Sequence, residues 1–235
     1  MMGETGFNPK PCLGLTEQST NEDIRKAAFQ FVREVGYMII GTTELDGKTP
    51  TARGLEVQAL DDADHLFIGV AKGKPTYYEL KQQPLLVGVI VRMTTKRLSA
   101  SVRISAHVTE LDPAQHPAIY ERYWELNPGT KALYRKDLDM FRIFQLDSGD
   151  GEIFHLPEDD EVCRVRFSFG KSEKRPWAYE IDEAACIGCG TCKELCMEDV
   201  IHETEDGKYR IDHFSCLECG RCEMNCPAGA IRRGF

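Results

Sequence analysis

The chain has 235 residues, 10 cysteines and a formal net charge of −9. Nucleic-acid binding is disfavoured, because proteins that bind nucleic acid concentrate Lys and Arg. No apolar run reaches the ~18–20 residues of a membrane span, and residues 1–11 lack the basic and apolar regions of a secretory signal. We therefore expect a cytoplasmic protein with one medium domain and one small domain.

The N-terminal part is predicted to be an extended arm (1–19) followed by a helix. Ser19 and Glu22 have the spacing of a capping box, and Gly36 has the place of a helix C-cap. Between them, apolar residues recur at helical spacing. Cys12 in the arm is interpreted as an incidental thiol.

Strand-like periodicity begins after Gly36. The predicted strands are 37–43, 49–60, 65–70, 85–92, 98–111, 140–146, 152–156 and 163–169. A helix from Asp112-Pro113 to about Leu126 and a short helix after Gly129 interrupt them. Residues 20–170 are thus predicted to form a mainly β domain, an antiparallel closed or split barrel with edge helices. Residues 171–177 are predicted to be a linker.

Three aromatic residues and three other side chains have simpler explanations than catalysis. Tyr120, Tyr123 and Trp124 are predicted to be a packing face of the helix. His107 and His155 are predicted to be packed or surface histidines, and Cys163 a core thiol.

The last fifth of the chain contains one pattern twice, 30 positions apart. Both copies have the spacing C-x2-C-x2-C-x3-C. The cysteines are Cys186, Cys189, Cys192 and Cys196, then Cys216, Cys219, Cys222 and Cys226. Zinc sites use well-separated pairs of cysteines, and disulfides need an oxidising compartment, so both alternatives are weaker than an iron–sulfur site.

Residues 178–235 resemble the bacterial two-cluster ferredoxins, although Met197 stands where the first copy would carry proline. The resemblance implies a small α+β domain with two 4Fe–4S clusters, in which the fourth cysteine of each run ligates the other cluster. The first cluster would be held by Cys186, Cys189, Cys192 and Cys226. The second would be held by Cys216, Cys219, Cys222 and Cys196. Oxygen-exposed clusters suggest an anaerobic setting.

Residues 24–169 resemble the FMN-binding split-barrel family that includes pyridoxamine 5′-phosphate oxidase. Three short motifs carry the resemblance: Pro50-x-x-Arg53, Leu66-Phe67-Ile68 followed by Lys74, and Val102-Arg103-Ile104-Ser105-Ala106. The sequence departs from the family at Gly69, Gln83 and Ala106. The resemblance implies FMN at a homodimer interface.

In this interpretation Arg53 binds the FMN phosphate bidentately and Lys74 binds it as a point charge. Tyr77 and Arg103 are further candidate cofactor residues. The alternative for Arg53 and Lys74 is that they are ordinary solvated charges of a strand and a loop.

The two resemblances together predict an FMN- and 4Fe–4S-dependent oxidoreductase. An external electron donor or acceptor would exchange electrons with the clusters, and FMN would reduce a small organic substrate, for example a nitro, azo, quinone or activated alkene compound. No residue is predicted to be catalytic. Two alternatives remain open: an electron-transfer or redox-sensing module without its own substrate, and a barrel that binds deazaflavin or haem.

Overall fold

The computed structural model describes residues 11–60, 65–93, 98–156 and 162–235. The helices are α1 (Asn21–Val35), α2 (Pro75–Gln82), α3 (Pro117–Leu126), α4 (Pro128–Leu133), α5 (Thr191–Glu194) and α6 (Arg221–Met224). The strands of the larger sheet are β1 (Tyr37–Thr43), β2 (Pro50–Gln58), β3 (Leu66–Ala71), β4 (Leu85–Met93), β5 (Leu98–Glu110), β6 (Phe141–His155) and β7 (Cys163–Phe169). The C-terminal strands are β8 (Tyr179–Ile181), β9 (Ile201–Glu203), β10 (Tyr209–Ile211) and β11 (Ile231–Arg233).

Six antiparallel strands close into a barrel. The sheet order is β3-β2-β1-β4-β5-β6-β7, and β3 also pairs with β6, so that β1 to β6 form a ring. β7 lies outside the ring and pairs with the second half of β6 from Gly149↔Phe169 to His155↔Cys163. The predicted mainly β barrel with edge helices is confirmed, as is the small ferredoxin-like region after it.

Helix α1 begins one residue later than predicted. Its N-cap is Thr20, whose hydroxyl accepts the N–H of Asp23 at 3.2 Å while the Asp23 carboxylate accepts the N–H of Thr20 at 2.9 Å. Ser19 instead accepts the N–H of Thr16. The helix ends as predicted at Gly36, which has a left-handed φ of 72°.

Three other boundaries also differ from the prediction. The two strands predicted at 140–146 and 152–156 are one strand, β6, because Gly149 and Gly151 pair with β5 and β7 instead of breaking the chain. Helix α2 was not predicted. Helix α3 begins at Pro117, since Asp112 accepts the N–H of Ala114 in a turn before it.

The barrel interior and the outer face of β3 hold two apolar clusters. The larger cluster includes Phe29 of α1, whose ring packs edge-on against Phe167 and Phe169 of β7. The smaller cluster packs Tyr123 and Trp124 against Phe141. The prediction that the aromatic residues of α3 are a packing face is confirmed.

The C-terminal region repeats itself every 30 residues. Strand β8, helix α5 and strand β9 form the first copy, and β10, α6 and β11 form the second. The copies interlock, since β8 pairs with β11 and β9 with β10. Cysteines of either copy can therefore face the other copy.

The N-terminal arm is attached to the barrel by a contact that the sequence did not predict. Cys12 and Cys163 are both buried and are joined as a disulfide, with their Cα atoms 5.4 Å apart. The N–H of Cys12 also donates to Nδ1 of His155 at 3.0 Å, so His155 is packed, as predicted. Within the described ranges, the helices are all too short or too polar to cross a bilayer.

Candidate functional site

The eight cysteines of the two runs line two separate cavities. One cavity is lined by Cys186, Cys189, Cys192 and Cys226. The other is lined by Cys196, Cys216, Cys219 and Cys222. The structure thus brings together the two sets of four that the resemblance implies, with the fourth cysteine of each run crossing to the other cavity. The donor set of each cavity fits a 4Fe–4S cluster.

Backbone groups of the cysteine loops are directed at sulfur atoms. The N–H of Glu218 donates to Cys216 Sγ at 3.3 Å, and the N–H of Ala230 donates to Cys226 Sγ at the same distance. Hydrogen bonds of this kind orient metal ligands and tune the potential of an iron–sulfur site.

The ionisation of the cysteines differs with their burial. Burial raises the pKa of the Cys222 thiol to about 11 and also raises the pKa values of Cys192 and Cys216. A hydrogen bond with Thr191 lowers the pKa of exposed Cys189. Because metal ligands are thiolates, loading of either cavity must displace protons from the buried thiols.

A groove of about 660 Å³ lies on the outer surface of the barrel. Residues of β1, β2, β4, β5 and β6 line it, including Thr51, Leu85, Ser105, His107 and Asp150. Most ligand-binding pockets are concave, about 300–1,000 Å³ in volume and lined mainly by apolar atoms with a few polar groups. The groove has a volume in this range and a mainly apolar lining with a few polar groups, and it is open on one side.

Arg53 does not line the groove but contacts Thr51, which does. Its guanidinium donates to Thr51 Oγ1 at 3.1 Å and to the hydroxyl of Thr76, in the first turn of α2. It also pairs with Glu79 at 2.8 Å, and the Thr42 hydroxyl donates to the same carboxylate. Because Lys74 is the N-cap residue of α2, both predicted phosphate-binding residues are close to the beginning of this helix, where an anion is favoured.

Tyr77 and Arg103 make their contacts elsewhere. The Tyr77 hydroxyl lies 3.2 Å from Glu110, and its ring packs against Phe144. Arg103 of β5 is half-exposed and lies 3.6 Å from Glu152. Neither side chain contacts Arg53 or lines the groove, and the cofactor role of both residues stays a prediction.

A buried network of charges joins β7 to the loop that carries Cys216, Cys219 and Cys222, called here the second cysteine loop. Arg164 donates to Glu152 at 2.6 Å, and Arg166 donates to Glu152 at 2.9 Å. Arg166 also donates to both carboxylate oxygens of Glu218 at 2.7 and 2.8 Å. This network was not predicted from the sequence, although Arg164 and Arg166 alternate along β7 and therefore share one face of it.

The segment predicted to be a linker contacts both the groove and the cysteine region. Arg175 pairs with Asp150 at 3.1 Å and donates to the Ser105 hydroxyl at 3.0 Å. Trp177 stacks on His213, with ring centroids 4.7 Å apart and planes 4° apart. Burial lowers the pKa of His213, which favours the neutral ring in this stack. In the sequence, the only indication of the Trp177–His213 contact was the presence of a tryptophan in a charged segment.

Comparisons with known proteins agree with the cysteine pattern. Residues 185–230 match the family model described as a 4Fe-4S dicluster domain. No curated protein matches the chain.

Several solved structures are similar to the barrel. A NimC/NimA family protein from Clostridium acetobutylicum is 22% identical, with 62% of this chain and 92% of that chain covered and a TM-score of 0.47. A putative pyridoxamine 5′-phosphate oxidase from Listeria innocua is 16% identical, with 60% and 96% covered and a TM-score of 0.39. An FAD-binding protein from Mesorhizobium loti is 14% identical, with 53% and 90% covered and a TM-score of 0.43.

Scores this low carry no argument about cofactor or reaction, so the functional conclusion rests on the cysteine region. All eight cysteines of the two cavities lie within the matched domain. The chain is a six-stranded barrel joined to a 4Fe–4S dicluster domain, and its general function is redox chemistry or electron transfer.

Proposed function

We propose that this protein is an oxidoreductase that passes electrons between two 4Fe–4S clusters and FMN in the barrel groove to reduce a small organic acceptor. The observation that carries the proposal is the ordered segment 171–177, which contacts the groove through Arg175 and the second cysteine loop region through Trp177. A cofactor in the groove would therefore lie close to a source of single electrons.

The residues around Arg53, which adjoin the groove through Thr51, fit the phosphate of FMN. Arg53 and Lys74 supply positive charge, and the Thr76 hydroxyl can donate a hydrogen bond. When bound, FMN supplies the conversion between single electrons and a hydride. The chain's own part is to hold the phosphate, to line the ring with apolar side chains such as Leu85, and to exclude water.

An apolar surface next to the groove supports a homodimer. The outward-facing side chains of β4 are apolar and exposed, and β1 beside it adds two more. They are Tyr37, Ile39, Leu85, Val87, Val89, Val91 and Met93. Exposed apolar patches of this kind mark interaction sites. Because Leu85 and Val87 also line the groove, a second copy on this patch would form its missing wall.

The first experiment is an anaerobic purification of the full chain with a visible spectrum, iron and sulfide analysis, and identification of the released cofactor. Two clusters and one FMN per chain would support the proposal and justify a screen of nitro, azo, quinone and activated alkene compounds as electron acceptors. Full iron content with no FMN bound, even after incubation with added FMN, would overturn it.

One observation favours a second function, an electron-transfer or redox-sensing module. Arg53 is already paired with Glu79, which is only 3% exposed, so its charge is partly neutralised within the chain. In that case the barrel would dimerise, or bind deazaflavin or haem, and pass electrons to a partner without turnover. Reoxidation of the reduced protein only by another electron carrier, and by none of the screened compounds, would favour this function.

A further inference from the structure

The two copies of the cysteine repeat differ at equivalent positions. Gly188 follows Cys186 by two residues and has a left-handed φ of 71°, where a Cβ would lie 2.5 Å from the carbonyl oxygen of Gly207. The equivalent residue of the second copy is Glu218, which has a left-handed φ of 54°. This conformation is unfavourable for a residue with a side chain, so the contacts of Glu218 must offset its cost.

Glu218 makes those contacts with the barrel side of the molecule. Its carboxylate accepts two hydrogen bonds from Arg166 and one from the N–H of Ala178 at 2.9 Å. Arg166 is itself buried between Glu218 and Glu152 and donates to the carbonyl of Pro176. Glu218, with its left-handed backbone, thus binds the second cysteine loop to β7.

Arg164 binds the backbone of the same loop. Its guanidinium donates to the carbonyls of Cys216 at 3.2 Å and Leu217 at 3.4 Å, and its own N–H donates to the carbonyl of Phe214 at 2.6 Å. At the matching position of the first copy, Ile187 is 65% exposed, whereas Leu217 is half-buried. The second cysteine cavity, which Leu217 and Glu218 also line, therefore faces the barrel.

The barrel-facing cavity is also the one connected to the groove. Arg166 lies over the Trp177 ring at 4.6 Å, and Trp177 stacks on His213, three residues before Cys216. Two residues before Trp177, Arg175 binds Ser105 and Asp150 at the groove. Contacts of packed and hydrogen-bonded groups run without a break from the groove to the second loop.

We propose that the cluster held by Cys216, Cys219, Cys222 and Cys196 is the inner one, which exchanges electrons with the barrel of its own chain, and that Arg164 and Glu218 set its reduction potential. The other cluster is the outer one. This inference rests on the proposed function only in naming the groove as the destination of the electrons.

The electron balance is simple. With both clusters bound, a low-potential one-electron carrier outside the chain would lose one electron to the outer cluster, and that electron would pass through the inner cluster to an acceptor in the groove. No bond or proton would change in the transfer between the clusters. A positive charge next to a cluster stabilises its reduced form, and a negative charge destabilises it. Arg164 and Glu218 therefore act on the inner cluster with opposite signs.

The test is an anaerobic redox titration of the full chain, followed by electron paramagnetic resonance. Arg164→Gln is expected to lower the midpoint potential of one cluster, and Glu218→Gln is expected to raise it. Each shift should correspond to about a tenfold change in the equilibrium constant, about 59 mV for a one-electron couple. The other cluster should move by less than half as much.

Four further variants make the result specific. Arg164→Lys keeps the charge and should keep the potential close to that of the unaltered chain. Arg25→Gln is the matched control, because Arg25 is also a partly buried, ion-paired arginine that lies over an aromatic ring, on α1. Cys189→Ser and Cys219→Ser, each altering the signal of one cluster, identify which signal is which.

Equal shifts of both clusters, shifts of the same sign in Arg164→Gln and Glu218→Gln, or shifts confined to the cluster altered by Cys189→Ser would overturn the inference. A variant that only unfolds its loop would lose the signal in both cases and could not produce opposite shifts. A chain without flavin that gives opposite shifts would overturn the FMN proposal and leave this one standing.

Discussion

The pairing of Arg53 with Glu79 allows structural and cofactor roles of one arginine to be separated. Glu79 is 3% exposed and Arg53 retains 23% exposure of its side chain. Removing one partner of a fully buried pair costs roughly 3–5 kcal/mol. Because Arg53 is partly solvated, we expect Arg53→Gln to destabilise β1 and α2 locally by about 2–3 kcal/mol, a smaller cost than for full burial.

The double variant Arg53→Gln with Glu79→Gln leaves no buried charge unpaired. The two introduced amides can bond to each other, and the amide oxygen that replaces the Glu79 carboxylate can still accept the Thr42 hydroxyl, which donates to Glu79 at 2.6 Å in the structure. We therefore expect the double variant to recover most of the lost stability. It should not recover FMN binding, because the charge that would hold the phosphate is absent. Both variants should bind FMN about 10–100-fold more weakly, from the loss of a charge-assisted hydrogen bond.

Hydrogen–deuterium exchange of peptides from β1 and α2 measures the stability, since every 1.4 kcal/mol is a factor of ten in the opening equilibrium. Exchange there should be about 30–150-fold faster in Arg53→Gln and close to normal in the double variant. Quenching of FMN fluorescence measures binding. Normal FMN affinity in the double variant would refute the phosphate role of Arg53, and normal exchange in the single variant would refute the buried-pair argument.

Three further predictions concern the surface and the cysteines. Val91→Glu places a charge in the exposed apolar patch and should convert a dimer into monomers that bind FMN more weakly. Light scattering measures the dimer and titration measures FMN binding. Leu133→Glu, at an exposed site on α4, should change neither. Cys226→Ser should remove the cluster of the first run and so halve the iron content, although Cys226 belongs to the second run. Loss of the other cluster's signal by paramagnetic resonance would refute the crossed ligation. Cys12→Ser should lower stability under oxidising conditions by about 2–4 kcal/mol in thermal unfolding, and an equal loss after full reduction would argue against the disulfide with Cys163.

The amino-acid sequence by itself determined the features that depend on short-range pattern. The spacing of the eight cysteines predicted an iron–sulfur site, and its resemblance to the two-cluster ferredoxins implied the grouping of the cysteines into two sets. Alternation of apolar residues predicted the barrel strands, and Gly36 predicted the end of α1, since each of these signals is contained in a few neighbouring residues.

Tertiary structure decided everything that depends on residues far apart in the chain. Closure of the barrel requires β3 to pair with β6. Attachment of the second cysteine loop requires Arg164 to contact Cys216, which is 52 residues away in the chain. Helix α2 escaped prediction because its apolar periodicity is weak and its position depends on packing. The pairing of Arg53 with Glu79 and the attachment of segment 171–177 likewise follow from the fold. Local pattern specifies the elements, but only packing brings distant charges into contact and buries them together, where low solvation makes their pairing matter.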